Sequence, residues 1–259
     1  MTASRPTGNG RGRSPVAEAL DRQFALYRAD TPELREMCFR LRYEIYCVDN
    51  PFEPSAYQLD GLERDWLDAY ADHALVVHRP TGLAVGTVRL ILPARLSPPA
   101  ELPFQKICGY RDPISQGLVP LHTAAEVSRF GVPRRARRLS REVSGAAAGT
   151  DGEPRTHEDL AIGLPILMLI RGFLMLASGH GIGHLSAMME PSLLRHVARF
   201  GIFFDPVGPP VDHHGIRQPS FVAISEMLGR VDALRPDVWE AITAHGSLAC
   251  AELPMIAAE

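Results

Sequence analysis

Lysine is almost missing from this 259-residue chain: Lys106 stands alone, and the other basic side chains are arginine. Cysteine is scarce too. Cys38, Cys47, Cys108 and Cys250 form no C-x-x-C pair and no metal-ligand spacing, which leaves reduced thiols and no metal site as the expectation. No apolar run suits a bilayer, which needs ~20 residues. The longest, 162–177, carries Pro165 and Arg171 and reads as a buried helix. The first residues are rich in Gly, Pro, Ser and Arg and have no apolar h-region, so they read as a disordered arm and not as a secretory signal. Charge of neither sign dominates, since the formal net charge is −3, and nothing global calls for nucleic acid as a partner. A cytoplasmic protein with no transmembrane segment is the expectation.

The elements that remain alternate. Residues 23–29 read as a strand, and Thr31-Pro32 offers an N-cap and a first-turn proline for a helix to about Cys47. Residues 73–78 and 84–92 read as two strands around the turn Arg79-Pro80-Thr81-Gly82. Residues 124–132 form a further strand, then comes the apolar helix, a strand over 184–189, and a helix from Pro191 that stops at Gly201. Residues 203–207 and 219–224 read as strands and 236–245 as a last helix. The order implies an α/β layered domain. Residues 1–22 are expected to be the arm, and 23–259 a single domain with a helical C-terminal extension.

Charged residues stand inside several of these apolar elements, and a buried charge must be paired or have a task. Arg42-x-x-x-Tyr46 lies on the first helix, Glu63-Arg64-Asp65-x-x-Asp68 follows it, and Arg89 shares a strand face with Val85, Thr87 and Ile91. Glu126-Val127-Ser128-Arg129-Phe130 lies on the next strand. Arg42, Arg89 and Arg129 can be set against Asp65, Asp68 and Glu126, three cations against three anions, in one convergent site. One difficulty is geometric. Residues 126 and 129 are an odd number apart, so Arg129 joins Glu126 and Ser128 only if a β-bulge re-aims it.

As a set, Arg42, Tyr46, Asp65, Asp68, Arg89, Glu126 and Arg129 resemble the acyl-homoserine-lactone synthase and N-acyl amino acid synthase branch of the GNAT-like acyltransferases. The runs 41–47 and 207–215 resemble, within it, the PEP-CTERM/exosortase system-associated acyltransferases. The resemblance implies a GNAT-like three-layer fold with a splayed mixed β-sheet flanked by helices. It also implies a fatty acyl donor on acyl carrier protein, an amine acceptor such as an amino acid, and no bound cofactor. The residues add one point. After Phe130 comes Gly131-Val132-Pro133-Arg134-Arg135-Ala136-Arg137-Arg138, with no Gln/Arg-x-x-Gly-x-Gly turn to cradle a coenzyme A pyrophosphate. Arg134, Arg135, Arg137, Arg138 and Arg141 suit an acidic carrier protein at least as well as coenzyme A.

The expected roles follow. Glu126 is the candidate general base, with Ser128 on its face, because an amine must lose a proton to attack a thioester. Asp65 and Asp68 either orient the acceptor or act as stabilising acids at a helix N-terminus. Arg42 and Arg89 brace carboxylates, and Tyr46, Arg129 and Phe130 complete the network. Two other readings stand beside N-acyl transfer: a lactone synthase using S-adenosylmethionine, and a non-catalytic fatty-acyl-binding module.

Overall fold

The computed structural model describes residues 13–51, 60–95, 101–108, 111–136, 156–213 and 215–249. Helix α1 (Pro15–Gln23) leads into strand β1 (Phe24–Arg28). Helix α2 (Pro32–Tyr43) continues as a π-helical segment (Glu44–Asp49). A 3-10 helix (Trp66–Tyr70) precedes the hairpin of β2 (Ala71–His78) and β3 (Leu83–Ile91). A short α3 (Pro103–Cys108) and β4 (Ala124–Gly131) follow, then the long α4 (Thr156–Ser178). Strand β5 (His184–Met189), helix α5 (Pro191–Ala198) and the two-residue strands β6 (Asp205–Pro206) and β7 (Val211–Asp212) come next. The described part ends with β8 (Ile216–Ala223), α6 (Ile224–Leu234) and α7 (Pro236–Ile242).

Local chemistry explains most of these boundaries. Thr31 Oγ1 accepts the Leu34 N–H, and Pro32 opens α2 where its missing N–H costs nothing. Gly82 takes φ +67°, the left-handed conformation that the β2–β3 turn demands. Helix α4 is apolar nearly all round, so it is buried, and among the described residues no helix is long and apolar enough to cross a membrane.

The strands form one eight-stranded mixed sheet in the order β1-β2-β3-β4-β5-β8-β6, with β7 paired to β8. All pairings are antiparallel except β4–β5. The β4–β5 pairing runs only from Ala124–His184 to Val127–Ala187, while each strand continues against its other neighbour. The sheet therefore splits after Val127, which is the expected splay. Helix α4 covers one face through Leu167, Leu169, Ile170 and Phe173, packed with Val76, Val88, Leu90 and Val127. The other face holds two smaller apolar groups. One joins α2 to the sheet through Cys38, Leu41, Ile45 and Leu75, and the other joins Ile91, Leu102, Phe104, Ile114 and Phe221. Three layers result.

One expectation needs correction, and one helix was not foreseen. The arm does not extend to residue 22, because Pro15–Gln23 is a helix capped by Ser14, and Val16, Ala17 and Leu20 are buried in the main core. Its apolar stripe is short and follows directly on a Gly/Arg-rich run, so composition hid it. Helix α6 occupies a stretch to which the sequence assigned no element. Its stripe Ile224, Met227, Leu228 and Val231 runs on from the apolar end of β8, with no capping side chain to mark the change of period. Leu20→Ala should therefore cost ~2–5 kcal/mol in chemical denaturation, as for a packed core leucine. A change within a few tenths of a kcal/mol would restore the disordered arm.

Candidate active site

Strands β3 and β4 set the geometry. Arg89 lies opposite Ser128 and Ile91 opposite Glu126, so Arg89, Glu126 and Ser128 share the face away from α4. Between the pairs Arg89–Ser128 and Thr87–Gly131, β3 advances two residues and β4 three. The additional residue makes a β-bulge, and Arg129 within it adopts φ +46°. That left-handed conformation is costly for a residue with a Cβ. Here it turns the Arg129 side chain onto the site face, as the odd spacing required. Gly131 is needed just beyond, because an added Cβ would come within 3.0 Å of Ile45 Cδ1 and 3.1 Å of the Tyr46 hydroxyl.

The charged side chains close into a ring. Arg42 donates from Nε to Glu63 and from Nη1 to Asp68 Oδ1 at 2.7 Å. Arg89 Nη1 donates to the same Asp68 oxygen at 2.8 Å and to Asp65 Oδ1 at 2.6 Å. Arg129 Nη2 donates to Asp65 Oδ2 at 3.2 Å and to Glu63 Oε1 at 2.9 Å. The path Arg42–Glu63–Arg129–Asp65–Arg89–Asp68 thus returns to its start with alternating charge. Arg89 Nε also donates to Ser128 Oγ at 2.9 Å. The Arg129 guanidinium lies 5.5 Å from the centre of the Tyr46 ring, and that of Arg42 lies 5.2 Å from the Phe39 ring.

Three side chains of the ring, Arg42, Glu63 and Arg89, are buried to within 2% of full cover, while Asp65 and Arg129 keep 24% and 21% of their surface. Its mouth is therefore the Asp65–Arg129 side. Burial opposes ionisation of Glu63 and Asp68, yet the adjoining guanidinium groups overcome it and hold both below the usual carboxylate range. Burial also pushes the Tyr46 hydroxyl up to about 12, so this phenol stays neutral. Asp65 and Asp68 have a second duty in the capping box of the 3-10 helix: Asp65 accepts from the Leu67 N–H, and Asp68 from the Asp65 N–H. The expected role at a helix start is thus met by the same two residues that join the ring.

Glu126 differs from the set to which it was assigned. The third anion of the ring is Glu63, and Glu126 stands outside it. Among the described residues its hydrogen bond comes from the Phe104 N–H at 2.8 Å. Burial raises its pKa to about 7, and the Phe104 N–H and Arg89 only partly oppose this. It is the carboxylate of this face poised to exchange a proton near neutral pH. The signal for Glu63 was its place in the run 63–68, but Glu126 had already completed an apparent charge balance. His73 was missed as well. It pairs with Arg89 across β2 and β3, sits 2% exposed with its ring edge-on to Phe39, and has a pKa lowered to about 4 by burial and by Arg42.

Two further placements modify the expectations. Phe130 packs against the main core, and the ring does not include it. Arg135 ties the run after β4 to the π-helical segment and to β3, donating to Glu44 at 2.7 Å and to the Ala84 carbonyl at 2.9 Å, so it is not wholly available for a partner. Arg134 is exposed, its N–H donating to Asp49. Arg137, Arg138 and Arg141 lie outside the described residues.

Comparison with known proteins bears on the fold that carries this site. Residues 41–143 match the family model of an acetyltransferase (GNAT) domain. No curated protein matches the chain. Among solved structures, the AHL synthase LasI superposes with a TM-score of 0.51 at 14% identity, covering 77% of this chain and 88% of LasI. FeeM, an N-acyl amino acid synthase from uncultured soil microbes, gives 0.48 at 15% identity, covering 81% and 96%. The CoA-dependent acyl-homoserine lactone synthase BjaI gives 0.49 at 19% identity, covering 87% and 99%. The match over residues 41–143 and the superposition on LasI define the fold as GNAT-like.

Removing one member of the ring strands a buried charge. Glu63→Gln should lower stability by ~3–5 kcal/mol in urea titration at neutral pH, far more than an exposed pair contributes. Because Glu63 and Asp68 titrate below their unfolded values, their contribution is present above pH ~4 and is lost as pH falls further. Wild type should therefore lose stability in that acid window, and Glu63→Gln should lose less of it.

Proposed function

We propose that the protein is an N-acyltransferase that moves a long-chain fatty acyl group from an acyl-carrier-protein thioester to the amine of a small acceptor, an amino acid. The observation that carries this reading is Glu126, a buried carboxylate with a pKa near 7 on the face where the ring opens. An α-amino group is mostly protonated at neutral pH, and its ammonium form cannot attack. Glu126 takes that proton, directly or through water, and the neutral amine attacks the thioester carbonyl. The tetrahedral intermediate expels the pantetheine thiolate, which recovers the proton held by Glu126, while the second proton of the attacking nitrogen passes to solvent and leaves the neutral amide. The buried apolar group of Leu102, Phe104, Ile114 and Phe221 beside Glu126 keeps water from the carboxylate. Beyond Val127 the free side of β4 offers backbone groups to the amides of a pantetheine arm.

The ring positions and does not turn over. Its carboxylates are each bonded to two guanidinium groups, so they are poor proton acceptors, and Asp65 at the mouth is the one placed to meet the acceptor. The donor needs no bound cofactor in this scheme. Acyl carrier protein is preferred over coenzyme A because the arginine-rich run after β4 favours an acidic protein surface. The link to an exosortase pathway rests on the sequence resemblance alone.

Mass spectrometry of lipid extracts from an expressing host separates the readings. A new acyl amino acid supports this one, an acyl lactone would make the enzyme a lactone synthase, and no new species would favour a binding module. Glu126→Gln should fold yet lose at least ~100-fold in turnover at neutral pH, with much of the loss recovered at higher pH, where the amine deprotonates unaided. Stability gives a second measure. A carboxyl raised from 4.5 to about 7 stabilises the fold below pH ~4.5 and loses that contribution as pH climbs through 7. Glu126→Gln should therefore be more stable than wild type above pH 7, by up to ~3 kcal/mol. An unstable variant would assign Glu126 to the fold. Arg134→Ala should lower kcat/KM for the carrier-bound donor and leave a short pantetheine thioester nearly unaffected; equal losses would count against carrier docking.

A further inference from the structure

At the end of the sheet opposite the bulge, β1 finishes, β2 starts, β3 finishes, and β4 and β5 start together. A cavity of ≈ 80 Å³ opens there, lined by Leu92, Pro93, Arg95, His122, His180 and Ile182. Its rim is built around Asp72. Asp72 Oδ1 accepts from Arg95 Nη1 at 2.6 Å, while Oδ2 lies 2.5 Å from Arg28 Nη2 and 2.7 Å from His180 Nε2. One carboxylate thus meets two guanidinium groups and an imidazole, and the excess charge is positive even with both histidines neutral. Asp72 is consumed by these bonds, which fix Arg95 and His180 at the cavity wall. Arg95 spends one nitrogen on Asp72, and its other donors have no partner among the described residues. His122 is exposed and makes no hydrogen bond to the fold among the described residues. Leu92, Pro93 and Ile182 supply a buried apolar floor, which strengthens any charge interaction made above it.

We propose that this cavity is a binding site for one small oxyanion, the phosphate or carboxylate group of a metabolite, held by Arg95 and His122, with His180, whose Nε2 faces Asp72, adding a donor through Nδ1 in its protonated form. Its volume admits several water-sized positions and falls well below the ~300 Å³ of a site for a drug-sized ligand, so it takes a single group and not a nucleotide. The preformed rim favours such a group, because Asp72 has already fixed the donors that would otherwise be ordered on binding. The site lies apart from the ring and from Glu126. Its occupancy is independent of which acyl acceptor the enzyme uses.

The test is direct binding to the full chain, read by calorimetry and by the imidazole resonances of His122 and His180. Inorganic phosphate and acetate serve as separate probes, with chloride at matched ionic strength as the control. Saturable binding of phosphate alone supports a phosphoryl ligand, and saturable binding of acetate supports a carboxylate. In either case the His122 and His180 resonances move together with occupancy. Arg95→Ala should weaken the bound probe by about tenfold or more, in line with loss of a charge-assisted hydrogen bond. Since Arg95 also holds Asp72, His122→Gln provides the variant that leaves the fold untouched, and it should weaken binding as well. Binding no stronger than chloride for both probes, or wild-type affinity in His122→Gln, would overturn the proposal. No turnover is measured, so this outcome is separate from the fate of the acyl-transfer reading.

Discussion

Everything on the site face answers to the closed ring of three arginines and three carboxylates. Its members come from α2, from the 3-10 helix and the run before it, and from two neighbouring strands. No subset satisfies the rest, since each charge bridges two partners of opposite sign. Burying such charges costs several kcal/mol apiece before pairing. Alternation in a closed path returns much of that cost. It also couples the elements, because Glu63 and Asp68 hold Arg42 of α2 while Glu63 and Asp65 hold Arg129 in the bulge of β4. The left-handed Arg129 is the local strain that this closure requires.

The same ring explains how one sheet face supports two kinds of carboxylate. Glu63 and Asp68 are surrounded by guanidinium groups and stay ionised well into acid. Glu126 is buried on the same face with a single backbone N–H and a more remote arginine, so burial prevails and its pKa rises. Environments that drive titratable groups apart separate structural from chemical work. Had Glu126 been the third anion, as simple charge counting suggested, it would have been locked ionised and unsuited to taking and returning a proton.

Much of this was legible in the residues. Arg89 in an apolar row declared a buried charge, and the odd interval from Glu126 to Arg129 demanded a bulge, because strand periodicity admits no other way onto one face. What was not legible had physical causes. Glu63 sits in an irregular segment with no period to aim it, so its side chain could be assigned only once the fold was known. His73 lies on a strand that also holds Asp72 and His78, and a histidine there carries no sign of its neighbours. Helices α1 and α6 escaped for want of a contrast at their starts: one follows a low-complexity run, and the other inherits its apolar stripe from a strand.

The scarcity of lysine has its meaning here. A ring of this kind needs cations that bridge two anions in fixed directions. Arg42 does so through Nε and Nη1, and Arg89 reaches Ser128 through Nε while Nη1 serves two aspartates. A lysine ammonium is a compact, strongly hydrated charge on a flexible stem, more costly to desolvate and without a planar fork to set the angle between partners. Arginine also lays its flat face on Phe39 and Tyr46, which lets apolar walls approach a charged centre. The composition noted first is thus consistent with a site whose charges must be buried, shared and directional, and an Arg→Lys exchange within the ring would break all three conditions.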